Sequence, residues 1–359
     1  MSPVLLLVAG LVVLVGGAEL LVRGAARLAA AMGVSSLVIG LTVVAYGTSA
    51  PELAVSSVAA VQGRADIALG NVVGSNILNV LVVLGASALI APLVVSRQLV
   101  RIEVPLMIGV SVALLLLGRD GRIGRIDGLL LLAGAITYTA VLLIKARRNG
   151  AADADPDEPK PERVPWASSI GLVIVGLGLL VLGADWLVRS ATAIARALGM
   201  SELVIGLTVV AVGTSLPELA TSLTAAFRGE RDMAVGNVIG SNLFNILFIL
   251  GVAGILNDVN VAPAAQRFDI PVMIAVAVAC LPVFFTRGSI GRGEGAMFLL
   301  YYLAYMLYVL LYNTGHDALP AYSRVMLIFV LPLTVVSLVI GAWQYAWQLR
   351  PRAGADAAR

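Results

Sequence analysis

Residues 37–85 read LVIGLTVVAYGTSAPELAVSSVAAVQGRADIALGNVVGSNILNVLVVLG, and residues 203–251 read LVIGLTVVAVGTSLPELATSLTAAFRGERDMAVGNVIGSNLFNILFILG. At this constant offset of 166, 32 of the 49 aligned positions are identical. The offset holds further out. It joins Gly17–Arg23 to Gly183–Arg189, and Glu103 and Pro105 to Asp269 and Pro271. After one inserted residue, Gly121, it also joins Asp127, Gly128 and Tyr138 to Glu294, Gly295 and Tyr305. A duplication this long organises the whole chain, because each copy then carries the same plan of elements.

The chain has 359 residues, of which 60% are hydrophobic and 13% charged, and its mean hydropathy is +0.98. That is more apolar surface than a soluble core can bury, so the medium is a bilayer. Runs of about 20 apolar residues, each able to cross ~30 Å of hydrocarbon as a helix, recur along the sequence. Eleven are expected, near 3–22, 35–61, 67–92, 103–118, 126–144, 167–188, 202–227, 233–256, 269–286, 295–312 and 325–348. Each copy of the repeat holds five. Five is odd, so the second copy enters from the opposite side and the two are related by a pseudo-twofold axis in the membrane plane.

The expected fold is therefore an all-α polytopic membrane protein of two inverted five-helix repeats, with helices 2 and 7 broken and an extra C-terminal span. The repeats cover residues 1–148 and 165–313, a short cytoplasmic linker covers 149–164, and a loop, the eleventh span and a basic tail cover 314–359. In the linker, Asp153, Asp155 and Asp157 imitate a calcium loop, but Glu158 replaces its glycine and Val164 its closing glutamate. With the N-terminus outside, sixteen of the 24 Lys and Arg residues fall on the cytoplasmic side, which predicts N-terminus out and C-terminus in. The first span is a structural helix and not a leader, since the repeat copies it. The single Cys280 forms no intrachain disulfide, and the pI near 9.2 calls for no nucleic-acid partner.

The chemistry lies in two motifs per copy. Glu52 and Glu218 sit mid-span, where an ionised carboxylate costs several kcal/mol unless paired, solvated or bound to a cation. Each follows a helix breaker, Gly47-Thr48-Ser49-Ala50-Pro51 and Gly213-Thr214-Ser215-Leu216-Pro217. Proline has no N–H and displaces the carbonyl four residues back, Gly47 or Gly213, so backbone oxygens lose helical partners at mid-membrane depth. In the second motif, Asn71, Ser75 and Asn79 recur every four residues on one face, as do Asn237, Ser241 and Asn245. Ser75, Asn79, Ser241 and Asn245 are the better ligands; Asn71, Asn76, Asn237 and Asn242 read equally well as interhelical glue. Two carboxylates, hydroxyls, amide oxygens and free carbonyls suit a hard cation such as Ca²⁺, which takes six to eight oxygens. No Cys or His lies near either motif, which disfavours zinc and copper.

Other acids read as structural. Glu19 with Arg23 and Asp185 with Arg189 stand four apart near span ends, as interfacial pairs. Asp66 and Asp232 are expected to cap spans three and eight, and Glu103 and Asp269 to cap spans four and nine. His316 reads as a solvated loop residue.

With its duplicated GTS-x-PE and GN-x-x-GSN-x-x-N motifs, the sequence resembles the cation/calcium exchanger superfamily, and within it the prokaryotic sodium/calcium exchangers. The resemblance implies that calcium and sodium are bound by Thr48, Ser49, Glu52, Ser75 and Asn79, and by Thr214, Ser215, Glu218, Ser241 and Asn245. It also implies backbone ligands at Ala45 and Ala211. Proton/calcium exchangers of the superfamily typically carry Glu in a GN-x-x-E motif, where this chain has Gly74 and Gly240, so sodium coupling is favoured. Potassium-dependent members place Asp at the position of Asn245. The expected function is a sodium/calcium antiporter in a prokaryotic inner membrane, without a cofactor. Its alternatives are proton/calcium or potassium-dependent exchange, and a passive channel. An enzyme is disfavoured, because no nucleophile–His pair or metal motif lies in the spans.

Overall fold

The computed structural model describes residues 2–152, 166–198, 211–287 and 289–330. Helix α1, Pro3–Met32, begins at Ser2, whose hydroxyl accepts the Leu5 amide at 3.3 Å, and stops at Gly33 with φ 63°, backbone that a β-carbon disfavours. Helices α2, Ser36–Thr48, and α3, Ala50–Val61, form one apolar stretch bent by 46°. The bend falls at Ser49 (φ −81°, ψ 11°), just ahead of Pro51. Helix α4 runs Ala65–Leu78, passes through a π-helical turn at Asn79–Leu84 and ends as Gly85–Ile90. Helix α5 opens on a π-turn, Leu99–Glu103, and continues as Val104–Leu117. Helix α6 is Arg125–Ala152.

The second half repeats this order. It consists of α7 (Trp166–Ala197), α8 (Ala211–Gly213), α9 (Leu216–Phe227), α10 (Arg231–Phe244, a π-turn Asn245–Ile249 and Leu250–Leu256), α11 (π-turn Ala265–Asp269, then Ile270–Arg287) and α12 (Arg292–Asn313). A short α13, Leu319–Val325, follows. Ser215 repeats the backbone conformation of Ser49 with φ −91° and ψ 10°. The π-turns at Asn79 and Leu99 recur 166 residues on, at Asn245 and Ala265.

Seven helices of the described residues are long and apolar enough to cross a membrane, or eight with the bent α2–α3 pair as one span. Eleven were expected. Residues 202–210 of the seventh expected span and 331–348 of the eleventh lie outside the described residues, as does most of the expected linker, and α6 stays helical to Ala152. The ninth expected span is helical as Ile270–Arg287. The only non-helical pairings among the described residues are two antiparallel ladders of two residues per strand. In these, β1 (Leu93–Val94) meets β4 (Ser289–Ile290), and β2 (Arg122–Ile123) meets β3 (Val259–Asn260). Each ladder ties one copy to the other.

Burial ranks the helices. Within the most apolar window, 72% of α4 and 83% of α10 is buried, against 28% of α1 and 11% of α12, so α4 and α10 form the centre. The outer face of α1 exposes Val4, Leu5, Val8, Leu11, Val12 and Val15, which suits acyl chains. Its inner face is a glycine seam against α7. A Cβ at Gly17 would lie 2.7 Å from the Leu180 nitrogen, and one at Gly183 or Gly176 would lie 2.6 Å from the nitrogens of Leu14 or Leu21. Gly10 faces Gly183 while Gly17 faces Gly176, so the two helices cross in opposite directions at backbone contact.

Several expected caps are not caps. Glu103 lies inside the continuous helical run of α5, 2% exposed, where it accepts Gln98 Nε2 at 3.0 Å and the Tyr138 hydroxyl at 2.9 Å. Asp269 likewise accepts the Tyr305 hydroxyl, at 3.1 Å. The π-turns extend both helices backward past these acids. Asp232 sits in the first turn of α10 behind Glu230 at the N-cap position and makes no capping bond, and the side chain of Asp66 lies outside the described residues. His316 is exposed in a turn, where Nδ1 accepts the Ala318 amide at 3.1 Å. The Glu19–Arg23 and Asp185–Arg189 pairs form as expected, and Glu19 also pairs with Arg228.

Candidate cation site

At the two helix breaks, Ser49 and Ser215, the carboxylate of each copy meets the serine of the other. Ser49 Oγ donates to Glu218 Oε1 at 2.8 Å, and Ser215 Oγ donates to Glu52 Oε1 at 2.9 Å. Both glutamates are 0% exposed. The exchange follows from the break. Each serine lies where helical backbone gives out, and each glutamate opens the helix that follows, so serine and glutamate of one motif diverge and meet those of the other copy. Ser75 joins this cluster, donating to Glu52 Oε1 at 3.4 Å and accepting from Ser215 Oγ at 3.2 Å.

The remaining expected ligands surround it. Thr48 Oγ1 lies 3.4 Å from the Ala45 carbonyl and donates to Asn237 Oδ1 at 3.1 Å. The Ala45 carbonyl also accepts the Ser49 amide at 3.1 Å and lies 3.5 Å from Ser241 Oγ. Ala211 lies in α8, four residues before Ser215. Thr214 Oγ1 is buried and has no hydrogen-bond partner.

Asn79 and Asn245 open the π-turns of α4 and α10 and are fully buried. Their amide groups are held by residues of the opposite copy. Asn79 Nδ2 donates to Asn242 Oδ1 at 3.1 Å, and Asn245 Nδ2 donates to Asn76 Oδ1 at 3.0 Å. Asn76 and Asn242 are fixed in turn, each donating to the other's backbone carbonyl at 3.2 and 3.3 Å. With the NH₂ groups occupied, the amide oxygens of Asn79 and Asn245 are left over. Sequence reasoning left Asn76 and Asn242 undecided; here they are struts. Asn71 and Asn237 are also glue, donating to the Glu52 and Glu218 carbonyls at 3.2 and 3.4 Å and to Ser56 and Ser222 at 2.9 Å. Sequence reasoning missed Met107 and Met273, one repeat apart, whose sulfurs lie 3.5 and 3.6 Å from the amide nitrogens of Asn242 and Asn76. An apolar residue in an apolar span gives no signal of such a role.

Among the described residues, eight buried side-chain oxygens lack a hydrogen-bond donor, and five of them belong to this group: Glu52 Oε2, Glu218 Oε2, Asn79 Oδ1, Asn245 Oδ1 and Thr214 Oγ1. Leaving such an atom without a partner costs about 1–3 kcal/mol, more for a charged one. No Lys or Arg pairs with either glutamate among the described residues. Nor is there a cluster of three or more His, Cys, Asp or Glu among them. Oxygens of mixed type, in a region closed to water and without counter-charge, are a donor set for a hard cation.

The known proteins that this chain resembles have the same character. The family described as sodium/calcium exchanger protein matches residues 2–144 and 168–311. Among curated relatives, the putative antiporter CaxA of Alkalimonas amylolytica is 40% identical over 308 residues, covering 82% of this chain and 95% of the relative. The sodium/calcium exchanger MaX1 of Methanosarcina acetivorans is 35% identical over 339 residues, covering 84% and 97%. The solved sodium-calcium exchanger NCX_Mj superposes with a TM-score of 0.73 at 35% identity, over 84% of this chain and 96% of that one. The chain is an integral membrane protein and belongs to the sodium/calcium exchanger family.

Proposed function

We propose that this protein is a secondary active antiporter that moves calcium against sodium through one midplane site reached alternately from each side. The site comprises Glu52, Glu218, Thr48, Ser49, Thr214, Ser215, Ser75, Asn79, Ser241 and Asn245, with the carbonyls of Ala45 and Ala211. The observation that carries this reading is the set of five donor-less oxygens on these residues. Two carboxylates balance one Ca²⁺ or two Na⁺, so the ions compete for one charge, and competition at one site couples their movements.

The halves are inverted five-helix repeats in this reading. Reciprocal contacts support it: Ser49 to Glu218 and Ser215 to Glu52, Asn79 to Asn242 and Asn245 to Asn76, Gly10 to Gly183 and Gly17 to Gly176. In this reading the protein sits in a prokaryotic inner membrane with the N-terminus outside and the C-terminus in the cytoplasm, an orientation supported by the excess of Lys and Arg on the cytoplasmic side. Gly74 and Gly240, where proton-coupled relatives would carry Glu, favour sodium over protons.

The test is calcium uptake into proteoliposomes with sodium, potassium and pH gradients imposed separately. An outward sodium gradient at clamped pH drives uptake, and Glu52→Gln or Glu218→Gln abolishes it. Uptake driven by a pH gradient alone rejects sodium coupling, flux without a counter-ion points to a channel, and normal exchange in both variants rejects the site.

A further inference from the structure

One turn beyond Glu218 on α9, Thr221 is 0% exposed and its hydroxyl has no hydrogen-bond partner. In a membrane helix a threonine ordinarily donates to the carbonyl four residues back. Thr224 on the same helix does so, to Ala220 at 2.7 Å, and Thr137 and Thr139 on α6 donate to Ala133 and Ala135 at 2.8 Å. Thr221 makes no such bond to Pro217. Ser87, in the last segment of α4, is likewise buried without a partner. That segment packs between α12 and α9. Gly85 and Ala88 face Gly295 of α12, and Ser87, about 200° around the helix from Gly85, does not share that face.

In the other copy these positions are Val55 and Ala253. The fold thus needs no oxygen at either place, and two orphan hydroxyls are a cost without a structural return. The halves also differ in cover. Helix α1 packs along α9, whereas the equivalent pair, α7 with α3, makes at most marginal contact among the described residues. Val55 is accordingly 39% exposed. If access from the opposite side parts α1 from α9, Thr221 stands where the exposed Val55 stands in the other copy, and it offers an oxygen where Val55 offers a methyl group.

We propose that Thr221 and Ser87 form an oxygen step for sodium between the Glu218 side of the central site and the membrane face that carries Arg228, a step with no counterpart on the other route. This inference rests on the antiport reading. Two neutral hydroxyls with one carboxylate a turn away match a single positive charge, with water completing the shell. Calcium, which takes six to eight oxygens and more negative charge, gains less there. Transport from the two faces is then chemically unequal.

The experiment varies extravesicular sodium on everted and on right-side-out membrane vesicles, so that each preparation reports one face. Thr221→Val, which keeps shape and removes the oxygen, raises half-saturating sodium about fivefold or more at one face only, the loss of one ligand of about 1 kcal/mol. The affected face is the Arg228 side, cytoplasmic with the N-terminus outside, and half-saturating calcium there shifts less. Thr221→Ser restores the wild-type value, and Ser87→Ala shifts sodium in the same direction as Thr221→Val. Equal shifts at both faces, or no shift in well-folded Thr221→Val, overturn the proposal. Glu218→Gln in the same vesicles separates the two readings: if it abolishes exchange while Thr221→Val is silent, only the oxygen step fails.

Discussion

Asn242 is the residue whose removal best separates a strut from simple glue. Truncation to Ala deletes the acceptor that holds Asn79 Nδ2 at 3.1 Å and the donor to the Asn76 carbonyl at 3.3 Å. Hydrogen bonds between membrane helices contribute about 0.6–1 kcal/mol each, so the fold loses about 1–2 kcal/mol. Only one of the two bonds orients a proposed ligand. Freed from Asn242, the Asn79 amide can turn its NH₂ toward the cation, and holding it oxygen-inward then costs the cation about 1 kcal/mol. Half-saturating calcium should rise about fivefold. The assay is sodium-driven calcium uptake in proteoliposomes, with thermal stability in detergent measured alongside.

Asn257→Ala is the control. Asn257 Nδ2 donates to the Ala60 carbonyl at 3.2 Å, another interhelical amide bond, and it touches none of the proposed ligands. It loses one bond at an exposed helix end, so it should lower stability by less, about 0.6–1 kcal/mol at most, and leave half-saturating calcium unchanged. If Asn242→Ala lowers stability and yet leaves calcium affinity as unchanged as Asn257→Ala does, the orienting role of Asn242 is wrong.

Gly176→Leu, with its Cβ 2.6 Å from the Leu21 nitrogen, forces α1 and α7 apart and costs about 3 kcal/mol or more, whereas Gly171→Leu, with open space around its Cβ, is tolerated; detergent melting curves of the two check this, and similar midpoints refute the seam. Arg228→Gln removes the partner of Glu19 that ties the end of α9 to α1. For this partly exposed pair, at about 0.5–1 kcal/mol, the ratio of half-saturating calcium at the two faces shifts about two- to fivefold, measured in vesicles of both orientations; an unchanged ratio refutes a role in state preference.

Much of the architecture was legible because the duplication makes each half a control on the other. A lone Thr-Ser-x-Pro-Glu reads as readily as a kink, whereas two copies at matched depth point to one site. What could not be read depended on pairing. Asn76 and Asn79 are chemically identical and three residues apart, and only the position of Asn242 makes one a strut and leaves the other with a free oxygen. Glu103 and Asp269 begin apolar runs and so resemble caps. The π-turns that carry each helix one turn back have no sequence signature, and tyrosines 35 and 36 residues downstream take the acids. Thr221 and Ser87 stand out in the sequence only as hydroxyls where the other copy has Val55 and Ala253, and burial without a partner is what distinguishes them.

The absence of a basic partner to Glu52 and Glu218 among the described residues bears directly on coupling. The ion pairs found among the described residues involve other acids, Glu19, Asp120, Asp185 and Asp258, whose side chains are 26% to 62% exposed. A lysine or arginine beside each central glutamate would let them change sides without cargo, since each pair would already be neutral. Left alone, two buried carboxylates cost several kcal/mol whenever the site closes on both sides. The same charge is neutralised by one divalent or two monovalent cations, so only loaded forms pass readily. Placing a lysine at Ser75, which lies 3.4 Å from Glu52, should therefore abolish calcium transport. If Ser75→Lys still exchanges sodium for calcium, charge balance at Glu52 and Glu218 is not what couples the ions.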